Sequence, residues 1–287
     1  MASWTIREKL SQGAILLWAI CSYGAIFVPG SALAVPAQFL AIAMLLAFCL
    51  IHGGGRLGNR GILILLVIAL IVSNIYENLS ISTGFPFGRY VHTAASGPML
   101  FQVPLIVGPI FFSVSYIAWT LATMLLGEPA DARIDVKTPI VAAFIVVGWD
   151  LCSDPIGATI GKQWLFAHSG AYFGVPLSNY LGWFLCTWTI FQCWSVYLST
   201  VRAPIATMSL RYWYEASAYW ALIGLQYPLL ALANPVGRVV RDTGGWAWRS
   251  SDILQASAIL SIYTMLAAAV TSAIVVAGRQ RSKSSSG

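Results

Sequence analysis

Long apolar runs separated by short polar segments dominate the order of hydrophobic and polar positions along this chain. A helix that crosses the hydrocarbon core of a bilayer needs about 20 predominantly apolar residues. The pattern therefore predicts an all-α, polytopic integral membrane bundle of about eight transmembrane helices. The predicted spans cover residues 12–29, 35–52, 61–81, 99–126, 138–153, 175–201, 212–233 and 253–278. The shorter alternating segments that are typical of a membrane β-barrel do not occur in the sequence.

The spans and their connecting loops account for almost the whole chain. We interpret residues 1–278 as a single transmembrane bundle, which leaves no room for a separate soluble domain. Residues 279–287 are polar and rich in serine, and this composition predicts a disordered tail. Arg7 and Lys9 precede the first apolar run as in a signal peptide, but no cleavage site follows, so this run is interpreted as the first span.

Composition agrees with a membrane protein and excludes several other classes. The chain has 287 residues, of which 58% are hydrophobic and only 9% are charged. An ordinary soluble domain carries about 25% charged residues. These values exclude a soluble enzyme, a disordered chain and a nucleic-acid-binding domain. The five cysteines lie within or at the ends of apolar runs and are interpreted as small buried hydrophobic residues.

The distribution of positive charge predicts an orientation in the cell membrane. With a cytoplasmic N-terminus, eleven of the sixteen basic residues fall on cytoplasmic segments, and both termini lie in the cytoplasm. These eleven are Arg7, Lys9, Arg56, Arg60, Arg133, Lys137, Arg202, Arg211, Arg279, Arg281 and Lys283. The opposite face holds Arg89, Lys162, Arg238, Arg241 and Arg249.

Four acidic residues lie at membrane depth, where an ionisable side chain is costly and marks a functional hypothesis. Glu77 ends the third predicted span, and Asp150 and Asp154 close the fifth, so these three share one end of the bundle. Glu215 begins the seventh span at the opposite end. Because it lies near Arg211, we interpret it as a member of an interfacial ion pair.

Asp150 and Asp154 are four residues apart, so a helix places them on one face, within reach of a shared proton. Two carboxylates this close in a low dielectric cannot both ionise cheaply, and such a pair supplies a protonated acid and an ionised base at the same pH. Two structural alternatives remain open. In the first, Asp154 and Pro155 form a helix-end turn, and Asp150 is hydrogen-bonded to a Trp or Tyr. In the second, Glu77 is a structural anchor paired with Arg89.

The three histidines do not form a metal site, because no zinc or diiron spacing surrounds them. We place His52 on a cytoplasmic loop and interpret His92 and His168 as surface-loop residues, with a proton relay as the alternative. No Walker loop or dinucleotide motif is present. Aromatic residues cluster around the acidic end and suit either an interfacial belt or stabilisation of a carbocation. They are Trp149, Trp164, Phe166, Tyr172, Phe173, Tyr180 and Trp183.

The loops at the acidic end resemble those of the membrane carotenoid hydratases, which act on γ-carotene-type or bisanhydrobacterioruberin-type substrates. The similarity extends from about residue 70 to residue 190 and rests on two groups of Gly, Pro and aromatic positions. The first group is Glu77-x5-Thr83-Gly84-x-Pro86-x-Gly88-x-Tyr90, Gly97-Pro98 and Val103-Pro104-Leu105. The second is Asp154-Pro155, Gly161, Trp164, Gly170-x-Tyr172-Phe173-Gly174-Val175-Pro176 and Asn179-x2-Gly182-Trp183. At position 92, where His92 stands, the resemblance leads us to expect another aromatic residue.

This resemblance implies an enzyme that adds water to a terminal isoprenoid double bond of an acyclic carotenoid, without a redox cofactor or metal. The implied partners are the carotenoid, water, membrane lipid and other carotenoid biosynthesis enzymes, and no nucleic acid. We assign Asp150 or Asp154 as the acid and Glu77 as the base that positions water, with exchanged roles as an alternative. The candidate substrate-binding residues are Tyr90, Trp149, Trp164, Tyr172, Phe173, Asn179 and Trp183.

Two other functions remain open. A lycopene-cyclase-like enzyme would use the same protonation but quench the cation by ring closure. A proton-coupled transporter or lipid-binding protein would place its acidic residues near the bilayer midplane, whereas the acids here gather at one end.

Overall fold

A computed structural model describes residues 5–28, 31–127, 134–201 and 208–285, with side chains described through Arg279. Arg133 and Arg202, two of the basic residues used to predict orientation, lie outside the described residues. The chain is mainly helical. Its helices are α1 (Ile6–Phe27), α2 (Ala34–Thr83), α3 (Val107–Leu126), α4 (Lys137–Pro155), α5 (Leu177–Val201), α6 (Leu210–Ala233), α7 (Ser250–Ser261) and α8 (Ala267–Ser285). A π-helical turn, Ile156–Ile160, extends α4, and a second one, Ile262–Leu266, joins α7 to α8.

Six helices of the described residues are long and apolar enough to cross a membrane. They are Ile6–Phe27, Ala34–Thr83, Val107–Leu126, Lys137–Ile160, Leu210–Ala233 and Ser250–Arg279. This agrees with a helical membrane bundle, but the predicted count of eight is not confirmed. Two predicted spans share the 50 residues of α2, and α5, which matches the span predicted at 175–201, is not among the six.

Helix α2 consists of two segments that fold back on each other at Gly58. Gly58 has φ 71° and ψ 160°, a conformation open almost only to glycine. A methyl group built on Gly53 would lie 2.5 Å from Cδ1 of Ile62. In a straight helix these two residues would be separated by about 13.5 Å along the axis, so the chain must reverse between them.

Three short antiparallel strand pairs among the described residues modify the predicted all-α class. Strand β1 (Tyr90–His92) pairs with β4 (Trp164–Phe166), β2 (Met99–Leu100) with β3 (Val103–Pro104), and β5 (Val239–Arg241) with β6 (Ala247–Arg249). The span predicted at 99–126 was therefore too long, because its first residues form the β2–β3 hairpin and α3 begins at Val107. The β1–β4 pair joins the segment after α2 to the segment after α4.

Helix α3 lies at the centre of the bundle, in contact with α2, α4, α5, α6 and α8. Every residue of α3 from Phe111 to Met124 is buried. The far end of α8 is tied to α3, because the Arg279 guanidinium donates to the carbonyl oxygens of Met124 and Leu125, each at 2.7 Å. Helix α8 continues to Ser285, into the segment that the sequence predicts as a disordered tail.

His52 and Glu215 are both buried at places away from the acidic end, and His52 differs from its prediction. His52 was predicted on a loop, but it is buried within α2, where Nδ1 lies 2.6 Å from the Tyr116 hydroxyl and Nε2 lies 2.9 Å from the carbonyl oxygen of Tyr212. Glu215 is also buried, accepts hydrogen bonds from Ser11 at 2.9 Å and Gln12 at 3.1 Å, and interacts electrostatically with Arg211, the partner that the sequence predicts.

The reversal at Gly58 gives a stability prediction. Replacing Gly58 by Val places a branched side chain in a backbone region that costs about 1–3 kcal/mol for residues other than glycine. We expect Gly58→Val to lower the melting temperature of the detergent-solubilised protein. Gly13→Ala is the control, because its added methyl group meets no atom within 4 Å. Equal melting temperatures for Gly58→Val and wild type would contradict the fold-back at this residue.

Candidate active site

The three acidic residues predicted to share one end are all buried. Glu77 is 5% exposed, Asp150 0% and Asp154 4%. Glu77 lies in the last two turns of α2, and the two aspartates lie in the last two turns of α4. The antiparallel pairing of β1 with β4 joins the segments that follow these two helices, which explains why their ends meet.

Asn179, in the first turn of α5, holds the aspartate pair together. Its Nδ2 donates to Oδ2 of Asp150 at 3.2 Å and to Oδ2 of Asp154. The two carboxyl groups also hydrogen-bond to each other. Helix α4 continues through Pro155, so the alternative of a helix-end turn with Asp150 bound to a Trp or Tyr does not match the structure. The pair is therefore arranged to share a proton.

Glu77 is held by two residues of β1. Its Oε2 accepts a hydrogen bond from the Tyr90 hydroxyl and lies 3.3 Å from Nε2 of His92. Burial, together with the charge of Glu77, raises the pKa of Tyr90 well above its usual value, so this hydroxyl stays protonated and donates. The alternative pairing with Arg89 is wrong, because Arg89 donates to the carbonyl oxygen of Ser82 at 2.9 Å.

His92 lies beside Glu77, inside the site, and not on the surface, as the preferred interpretation of the sequence had it. Its side chain is 6% exposed, whereas a surface-loop residue was predicted. His168, interpreted in the same way, is exposed as expected. The two-residue spacing from Tyr90 puts both side chains on one face of a strand, but nothing local in the sequence marks the three residues of β1 as a strand.

Three polar atoms of this region have no hydrogen-bond partner among the described residues. They are Oδ1 of Asp150, Nδ1 of His92 and the hydroxyl of Tyr180. Tyr180 lies close enough to Asp150 and Asp154 to interact electrostatically with both, and Glu77 interacts with the same pair. Unpartnered buried polar atoms cost about 1–3 kcal/mol each, so a cluster of them at one place indicates a site for a polar reactant.

The predicted aromatic residues separate into two groups. Trp183 stacks on Phe111 at a centroid distance of 4.1 Å and meets the edge of Trp149 at 5.6 Å, which forms an aromatic wall between α3, α4 and α5. Trp164 packs against the ring of His92 at 6.4 Å. Trp183 follows Asn179 by one turn of α5, and Trp164 contacts His92, so both lie next to residues that bind the acidic groups.

Tyr172 and Phe173 have different surroundings. The Tyr172 hydroxyl donates to the carbonyl oxygen of Leu151 at 3.1 Å, and its ring meets Tyr180 at 5.7 Å. Phe173 packs on Trp248 of the β5–β6 hairpin at 5.2 Å. Tyr172 therefore contacts Tyr180 and the backbone of α4, and Phe173 contacts the β5–β6 hairpin.

No group of three or more His, Cys, Asp or Glu side chains within the described ranges is placed to hold a metal ion. The cysteines at this level, Cys152 and Cys186, are buried and free.

Comparisons with known proteins show the family to which the chain is related. A family model described as carotenoid biosynthesis protein matches residues 34–239. The chain is 32% identical over 123 residues to bisanhydrobacterioruberin hydratase of Haloarcula japonica. That alignment spans 41% of this chain and 41% of the length of the relative. No solved structure matches the chain.

The shared amide of Asn179 gives the second prediction. Asn179→Leu removes the donor from two buried carboxyl oxygens, and this loss is expected to lower the free energy of unfolding by about 1–3 kcal/mol. Thermal melting of the purified protein in detergent, followed by intrinsic fluorescence, measures the change. Asn78→Leu is the matched control, because Asn78 is exposed and bonds only within α2. A wild-type melting temperature for Asn179→Leu would show that the amide does not hold the pair.

Proposed function

The chain belongs to the carotenoid biosynthesis protein family, and from this premise we propose that it is a hydratase of acyclic carotenoids. The proposed reaction adds water across a terminal isoprenoid double bond and yields a tertiary alcohol. The observation that carries this proposal is the cluster of three buried carboxyl groups, with unpartnered polar atoms beside them, at one end of a helical membrane bundle. The name of the similar archaeal protein supports a hydration reaction.

In the proposed first step, the aspartate pair protonates the alkene. Asp150 is the proton donor, because both carboxyl groups bind the Asn179 amide through Oδ2 while Oδ1 of Asp150 has no partner in the described part of the chain. Asp154 hydrogen-bonds to Asp150 and stabilises the proton before transfer. A new C–H bond forms at the less substituted alkene carbon, and the positive charge develops on the tertiary carbon.

The carbocation then needs a dry, electron-rich surface until water captures it. Aromatic faces attract a cation by about 2 kcal/mol each when the site is desolvated. Trp149 and Trp183 supply such faces beside α4, and Phe111 fixes the orientation of Trp183. Water then attacks the cation from the side of Glu77, whose carboxylate accepts a hydrogen bond from Tyr90 of strand β1.

We propose that the enzyme is a lyase that uses no redox cofactor or metal. In this proposal, its carboxyl groups act as the acid and the base, and its aromatic rings stabilise the carbocation. We further propose a multi-pass protein of the cell membrane with both termini in the cytoplasm, as the distribution of basic residues predicts. The carotenoid would enter from the hydrocarbon phase and water from the end of the bundle that carries the hairpins.

Coexpression with an acyclic carotenoid pathway tests the function. Cells that make lycopene should accumulate a pigment whose mass is increased by one water when wild-type protein is present. We expect Glu77→Gln, Asp150→Asn and Asp154→Asn each to reduce this product at least about 100-fold, the usual range for the loss of a general acid or base.

The matched control is Asp252→Asn, because Asp252 is an exposed acidic residue in the first turn of α7. It should form product at the wild-type level. A new pigment of unchanged mass would identify cyclisation instead of hydration. Wild-type product levels in all three carboxyl variants would overturn the proposed chemistry.

A further inference from the structure

The hydrogen bonds of Glu77 define the tautomer of His92. Oε2 of Glu77 accepts from the Tyr90 hydroxyl, so this oxygen acts as an acceptor. Nε2 of His92 lies 3.3 Å from the same oxygen and must therefore carry the hydrogen of their contact. In the neutral ring the lone pair is then on Nδ1. This assignment follows from the hydrogen-bond network.

Nδ1 of His92 is a buried basic atom without a protein partner. It has no hydrogen-bond partner in the described part of the chain, although the side chain is only 6% exposed. Trp164 and Tyr90 pack edge-on against the ring and restrict its rotation, with centroid distances of 6.4 and 5.3 Å. A fixed imidazole whose remaining nitrogen is unpartnered is prepared to accept a proton.

We propose that His92, oriented by Glu77, is the base that removes the proton from the attacking water. This inference rests on the proposed hydration function and refines the assignment of the base. The water oxygen forms the C–O bond with the tertiary cation, and one of its protons passes to Nδ1. The imidazolium gives that proton to solvent, and the aspartate pair takes one proton from solvent to replace the one that stays in the new C–H bond, so one water is added per cycle.

Glu77 is then a positioning residue. Its Oε2 is occupied by Tyr90 and His92 together, which leaves this oxygen poorly placed to take a proton from water. Its negative charge lies next to the ring and stabilises the imidazolium that forms when Nδ1 accepts the proton. A carboxylate that orients a histidine and stabilises its charged form is a general arrangement in enzymes that activate oxygen nucleophiles.

Substitution combined with chemical rescue separates this role from a structural one. The full-length protein is purified in detergent and given lycopene, and the hydrated product is measured by mass spectrometry. His92→Gln retains an amide donor for Glu77 but has no basic nitrogen, and we expect its rate to fall at least about 100-fold. In His92→Gly, imidazole added to the solution should restore part of the activity, because it replaces the missing base.

The control is His168→Gln, which changes an exposed histidine and should hydrate lycopene at the wild-type rate. His92→Asn replaces His92→Gln in the comparison if the glutamine variant does not elute as the wild type does. A folded His92→Gln that hydrates within about threefold of wild type overturns the inference, and so does a folded His92→Gly that imidazole does not rescue, since a general base contributes about 100-fold or more. A wild-type protein that forms no hydrated product overturns the proposed function itself.

Discussion

The Asn179 amide, shared between Asp150 and Asp154, is the interaction on which the acidic site depends. Carboxyl groups in a bilayer-spanning protein are costly unless donors or partners compensate them. Asn179 supplies the donor for two of them at once, and Tyr90 and His92 supply the donors for Glu77. Because these donors come from α5 and β1, the ends of α2, α4 and α5 must meet at one place. The aromatic wall around Trp183 then encloses the space beside them.

Local patterns predicted the helices and the acidic cluster because each depends on spacing along one segment. The apolar runs marked the helical segments, and the interval between Asp150 and Asp154 put both on one face. The spans predicted at 35–52 and 61–81 already require a reversal between them, but its position at Gly58 was not predicted, because one glycine among several in this segment decides it. The strands have only two or three residues each, which is too short for an alternation signal. The burial of His92 depends on β1 pairing with β4, more than 70 residues away, and no local pattern contains that information.

The short strand pairs explain how irregular backbone can exist at the end of a membrane bundle. Peptide groups near the hydrocarbon must find partners within the protein. The β1–β4 ladder and the hydrogen bond from Thr93 Oγ1 to the carbonyl oxygen of Lys162, at 2.6 Å, satisfy such groups above the acidic residues. Asp242 does the same for the β5–β6 turn by accepting from the backbone of Gly244 at 2.9 Å and from the Trp248 indole at 2.8 Å. These contacts order the non-helical segments next to the site, while the acidic residues Glu77, Asp150 and Asp154 themselves lie on helices.

The separation of the aspartates from Asn179 also has a consequence for biosynthesis. The amide lies 29 residues after Asp150 and 25 after Asp154, so the ribosome delivers both carboxyl groups before their donor exists. A single helix α4 released alone into lipid would carry two uncompensated acids. The insertion machinery is therefore expected to hold α4 until α5 emerges and to release the two as a pair.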